Sequence, residues 1–134
     1  MECPTFEVIV KGIILDTTTK KVLIGKWEDK NSDEKDWCFP GGRLLPGEDI
    51  DKSLKRLTKI KTGYSVKNIG TFFSQTHEEY DNRVSIYFLT EIFEGNETAG
   101  DDIKELKWIN IKEIENYFTH PLHVKLKEFL FELV

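Results

Sequence analysis

Cysteine is close to absent from this chain of 134 residues: Cys3 and Cys38 are the only two, too few to read as a disulfide framework. A reducing compartment is therefore expected, with the protein in the cytoplasm. No stretch approaches the roughly 20 apolar residues that a membrane span requires, and Met1-Glu2-Cys3-Pro4 has no basic start ahead of an apolar run. No membrane partner is expected. An excess of positive charge is missing as well. The net charge is −5, which argues against sequence-independent nucleic-acid binding and leaves any anionic ligand dependent on a local cationic site. Repeats and low-complexity runs are also lacking, and the polar stretch Glu28 to Asp36 reads as a mobile surface loop. A chain of this length with 39% hydrophobic residues buries one proper core, so residues 1–134 are expected to form a single domain.

Two runs rich in Val, Ile and Leu, Phe6 to Leu15 and Lys21 to Trp27, flank Asp16 to Lys20 and predict two strands joined by a turn. Trp37-Cys38-Phe39-Pro40 predicts a short strand stopped by proline, after which Gly41-Gly42 is expected to turn the chain through angles closed to other residues. From Asp49 to Thr62, Ile50, Leu54, Leu57 and Ile60 recur at helical spacing, with acids in the first turn, Lys61 in the last and Gly63 as the stop. Val66 to Phe73 and Arg83 to Phe93 are β-branched and aromatic and predict neighbouring strands. A further strand is expected around Leu106 to Ile109, then helices at Lys112 to Phe118 and Pro121 to Leu133. The class is α/β or α+β.

A strand, a double glycine, an arginine and a helix together present backbone N–H groups and a guanidinium to phosphate oxygens. Gly42 is followed by five residues and Glu48, then seven and Arg56, then six and Gly63. This spacing resembles the Nudix box, G-x5-E-x7-R-E-U-x-E-E-x-G-U with U a bulky aliphatic. Where the box has its three helix glutamates, Leu57, Ile60 and Lys61 stand. Trp37 to Gly42 is similar to the strand and turn leading into the box, and Glu105 to Trp108 to a late strand. Gly41-Gly42-Arg43 with Arg56-Leu57-Thr58 resembles the GDP-mannose mannosyl hydrolase branch, as does Leu122-His123 ahead of a final helix.

The resemblance implies a mixed β-sheet sandwiched between helices and a ligand that is a nucleoside diphosphate or nucleotide sugar. It also implies Mg²⁺ as cofactor and, as in many relatives, a homodimer. On the positions that match, Gly41 offers a carbonyl, while Gly41, Gly42, Arg43, Arg56 and Lys61 become candidate substrate contacts. Lys61 takes the place of the last box glutamate, and Asp102 and Ile103 align roughly with a late-loop glutamine and histidine. An ammonium at a metal ligand's position argues against ordinary Mg²⁺ binding, and Lys61 is a candidate to contact the diphosphate directly.

Each candidate has a plainer alternative. Arg43 reads as a ligand contact or a loop arginine. Arg56 reads equally as a substrate contact or as the partner of Glu48, and Glu48 as a weak metal candidate or, preferred, a partner of the helix start. Lys61 also suits a helix C-terminus as a simple favourable charge, and Leu57 and Ile60 are expected in the core. Glu97, Asp101 and Asp102 lie where relatives keep a catalytic base, with Gly100 giving the loop freedom to close; a solvated acidic loop is the alternative. His77 is a weak candidate base, and His120 and His123 are expected to be structural. Three functions stay open: a nucleotide-sugar hydrolase, a catalytically silent ligand-binding module, and a structural dimer. A nucleic-acid surface on the lysine-rich helix is disfavoured by the surrounding acids.

Overall fold

The computed structural model describes residues 3–29 and 35–134. Residues 30–34 of the expected polar loop lie outside the described residues, as do Met1 and Glu2. The flanks of that stretch are strand: β2 (Lys21–Glu28) pairs antiparallel with β3 (Lys35–Cys38), Gly25 opposite Cys38. β1 (Glu7–Asp16) enters β2 through a turn in which Asp16 Oδ1 accepts a hydrogen bond from Thr18 N at 2.9 Å.

The remaining strands are β4 (Gly41–Arg43), β5 (Tyr64–Thr76), β6 (Arg83–Gly95) and β7 (Ile103–Asn110). One layer has the order β4-β1-β6-β5, parallel between β1 and β6 and antiparallel elsewhere. The other is antiparallel, β3-β2-β7. β1 and β2 pair only through Leu15 with Val22 and Asp16 with Lys21. The layers are thus joined at that turn and part toward the opposite end, where Phe39 and Pro40 cross from β3 to β4.

Successive side chains of a strand point to opposite faces, and β1 uses both. Val10 packs with Leu54, Leu57 and Phe88 beneath helix α1 (Ile50–Thr62). Ile13 packs on the other side with Tyr87, Ile114, Leu126 and Leu130, the last two from α2 (Val124–Phe131). The result is a mixed sheet with helices on both faces, an α+β arrangement as expected.

The caps of α1 follow the sequence signals. Asp49 accepts from Lys52 N at 2.9 Å, and Gly63 closes the helix at φ 82°, donating to the Lys59 carbonyl. Its buried face differs from the apolar spacing. Leu54 and Leu57 are buried as expected, but Ile60 is 45% exposed and Ile50 39%, while Ser53, Thr58, Lys61 and Thr62 are buried. The helix rests on the sheet along 54, 57, 58 and 61, one stripe at intervals of three and four, and Ile60 falls to its side.

Two other expectations change. The segment after β7 is a 3-10 helix, Ile111–Asn116, where the spacing of three puts buried Ile111 and Ile114 on one side. Gly41 and Gly42 form strand β4 without positive φ. Glycine is needed at 41 for close approach, because a Cβ there would stand 2.0 Å from the Val10 carbonyl oxygen.

Candidate functional site

β4 brings Gly42 against the last turns of α1. A Cβ on Gly42 would lie 3.3 Å from Leu57 Cδ2 and 3.5 Å from Lys61 Nζ, so the Lys61 ammonium reaches the double glycine. Lys61 is 9% exposed, and its Nζ is 3.3 Å from Asp102 Oδ1. That oxygen is shielded from solvent and receives no aligned hydrogen bond, so the contact is an ion pair rather than a well-directed bond. Leu57 is core as expected, whereas Ile60 points away.

The two arginines are held by carboxylates. Arg56 Nη2 donates to Glu48 Oε2 at 2.9 Å, and Glu48 Oε1 accepts from Leu45 N at 2.8 Å. The Leu45 amide, assisted by Arg56 and opposed by a little desolvation, holds the Glu48 carboxyl below its ordinary pKa. Glu48 therefore closes the loop ahead of α1, the preferred structural role, while Asp49 is the helix cap. Arg43 pairs with Glu7, which also receives Arg83 Nη2 at 3.2 Å. Burial would raise the Glu7 pKa, but the two guanidinium groups outweigh it and hold the carboxylate low. The Arg43 side chain is 65% exposed and stays accessible to a ligand on that face.

The late loop divides. Asp102 arrives beside Lys61. Glu97 is instead tied to Trp108 Nε1 at 2.7 Å and lies 3.4 Å from the Tyr64 hydroxyl, and Asp101 occupies the turn at φ 56°. Gly100 does not serve as a hinge: its N–H donates to the Lys61 carbonyl at 3.2 Å, and a Cβ would meet the Ile60 carbonyl oxygen at 2.2 Å. Thr98 N donates to the Thr62 carbonyl at 2.8 Å, so the loop is pinned on the C-terminal end of α1. The open hollow lined by Lys59, Gly63 and Asn96 is at this same end and holds none of the candidate residues.

His77 is on the other face of the sheet, Nε2 2.7 Å from Ser85 Oγ. His123 accepts from Lys125 N at 3.0 Å through Nδ1, capping α2, and lies against Phe73 with ring centres 5.0 Å apart, the structural role expected. His120 is exposed. Sequence reasoning missed Lys11. It sits half-buried on β1, opposite Tyr87, with Nζ 3.4 Å from the Phe39 carbonyl oxygen. Burial raises the Cys38 thiol pKa, and the charges of Lys11 and Lys61 both oppose that rise; Lys11 Nζ reaches the Phe39 carbonyl and Lys61 Nζ reaches Gly42, so both ammonium groups lie along the Cys38 to Gly42 crossing. The available signal was a lysine inside a Val- and Ile-rich strand, where lysine is depleted.

Known proteins resemble this chain in sequence and in fold. The chain is 32% identical over 124 residues to a Methanocaldococcus jannaschii protein named ADP-ribose pyrophosphatase, a match covering 88% of this chain and 70% of that one. It is 41% identical over 59 residues to nucleoside diphosphate-linked moiety X motif 6 of Mus musculus, covering 44% of this chain and 18% of the mouse protein. A crystal structure of a NUDIX hydrolase from Nitrosomonas europaea has a TM-score of 0.78 at 19% identity, with 98% of this chain and 73% of the other covered, a likeness of fold. The NUDIX domain model matches residues 5–133, the whole course from ahead of β1 to just past α2. With its glycine strand set against the capped helix α1 inside a mixed two-layered sheet, the chain belongs to the Nudix family.

Proposed function

We propose that this Nudix domain binds a nucleoside diphosphate derivative with the Lys61 ammonium standing where the box places its last metal-binding carboxylate. The position of Lys61 carries the proposal: a buried cation beside the double glycine, matched by one partly exposed carboxylate. The surrounding donors do not fit Mg²⁺, which requires near-octahedral oxygen ligands. Leu57 is in the core and Ile60 points away, Lys61 is cationic, and the Glu48 carboxylate is already taken by Leu45 N and Arg56. A point-charge ammonium serves a phosphate without a metal. Arg43 and Arg56 are the accompanying guanidinium contacts in this proposal.

Calorimetric titration with a nucleoside diphosphate sugar, with Mg²⁺ and in chelator, is the test. Equal affinity in both, lost in Lys61→Ala, is expected. Binding that requires Mg²⁺, or no binding of any nucleotide, would overturn it. Within the class, a nucleotide sugar is the finer choice. It rests on Gly41-Gly42-Arg43 and Arg56-Leu57-Thr58, and a homodimer belongs to the same proposal.

Turnover of the same ligand is a second reading, favoured by the archaeal relative whose name is ADP-ribose pyrophosphatase. His77 or Asp102 would then act as base. Product analysis separates the routes, free sugar marking attack at carbon and sugar phosphate attack at phosphorus.

A further inference from the structure

Lys11 occupies a place where lysine is costly to keep. Its neighbours on β1 include Val10, Ile13 and Ile14, none with exposed surface, and ordering a long side chain there loses rotamer entropy. A half-buried ammonium normally finds a carboxylate. Among the described residues, the other buried or half-buried cations have a charged or aromatic partner: Lys61 has Asp102, Arg83 has Glu7, Lys127 has Glu115, and Lys26 lies over the Trp37 ring. Lys11 has only the Phe39 carbonyl, at 3.4 Å.

Among the described residues, the groups around it are neutral or engaged elsewhere. Cys38 is held as a neutral thiol by burial. Asp36 Oδ1 is taken by Thr119 Oγ1 at 2.8 Å and by the amides of Thr119 and Trp37. His77 lies against Ser85 Oγ, its pKa lowered chiefly by burial, and Tyr87 donates to Gln75 at 3.3 Å. Glu7, on this side of β1, already serves Arg43 and Arg83, and Glu79 acts on His77. Among the described residues, the Lys11 ammonium is thus left without a paired carboxylate, on the strand opposite Tyr87 and near enough to His77 to act on its charge.

We infer that Lys11 is a second anion anchor, taking a phosphoryl group of the ligand at the Phe39 end of the Cys38 to Gly42 crossing, while Lys61 stands at Gly42. The ligand's identity rests on the proposed function, while the anchor itself rests on the geometry around Lys11. Inorganic pyrophosphate, titrated in chelator and followed by calorimetry and by the backbone amide resonances of Lys11 and Gly12, is the probe. Wild-type protein is expected to bind it with those resonances moving, and Lys11→Met to weaken it by about tenfold or more with an unchanged or raised melting temperature. A structural lysine would show the reverse, a lowered melting temperature with pyrophosphate affinity intact. The inference is overturned by unmoved resonances in the wild type, which needs no variant, or by unchanged affinity in Lys11→Met. Pyrophosphate binding at Lys11 without any response to a nucleoside diphosphate sugar would remove the proposed function and leave the anchor standing.

Discussion

Lys61 Nζ stands 3.3 Å from Asp102 Oδ1, tying the last turn of α1 to the residue that precedes β7. The lysine is buried and Asp102 is half exposed, so the pair is strongly asymmetric in solvation. Removing one member of such a pair leaves the other charge uncompensated.

The substitution Lys61→Glu reverses this pair into two neighbouring carboxylates. In chelator it is expected to cost about 2 kcal/mol or more, roughly 5–10 °C in melting temperature. Millimolar Mg²⁺ should restore much of that loss, since the cation then has two carboxylates and the nearby carbonyls of β4. Thermal scans of both proteins with and without Mg²⁺ decide it; a variant indifferent to Mg²⁺ contradicts the expectation.

Replacing the cap, Asp49→Ala, removes the acceptor of Lys52 N. A loss of about 1 kcal/mol is expected from this change, measured as a lower urea midpoint at constant slope. Asp49→Ser should recover most of it.

The two glycines of β4 should respond differently to alanine. Gly41→Ala drives a methyl to 2.0 Å from backbone oxygen and should cost about 3 kcal/mol or prevent folding. Gly42→Ala meets flexible side-chain ends at 3.3 Å and 3.5 Å and should be milder. Equal stabilities by denaturant titration would refute the close approach of β4 to β1.

Burial lowers the His77 pKa from its ordinary 6.5, helped by the charges of Arg83 and Lys11 and opposed by Glu79. The unfolded chain therefore takes up the proton first. Its stability contribution is complete above pH 6.5 and declines as pH falls below that value toward the lower folded pKa. Melting temperatures between pH 7.5 and 5.5 should fall more steeply for wild type than for His77→Gln, and parallel curves would show that His77 is not the group responsible.

Much of the fold was legible in local signals. Val- and Ile-rich runs between turn residues marked β1, β2, β5 and β6, and Asp49 and Gly63 marked both ends of α1, because capping and strand preference act within a few residues. The box spacing from Gly42 through Glu48 and Arg56 to Gly63 likewise lies in one continuous segment. The pairing of Arg56 with Glu48 was one of two readings, and spacing could not choose between them.

By itself, the sequence determined the family, the elements and the presence of Leu57, Ile60 and Lys61 on the helix that follows the double glycine, all properties of contiguous residues. Tertiary structure alone decided that Ile60 faces outward while Lys61 is buried beside Gly42, that Asp102 rather than Glu97 joins it, and that Lys11 pairs with no carboxylate among the described residues. These outcomes depend on residues far apart in the chain. Hydrophobic spacing describes one helix, but burial depends on the angle at which α1 meets the sheet, and a charge is compensated only by what the fold brings within a few ångströms.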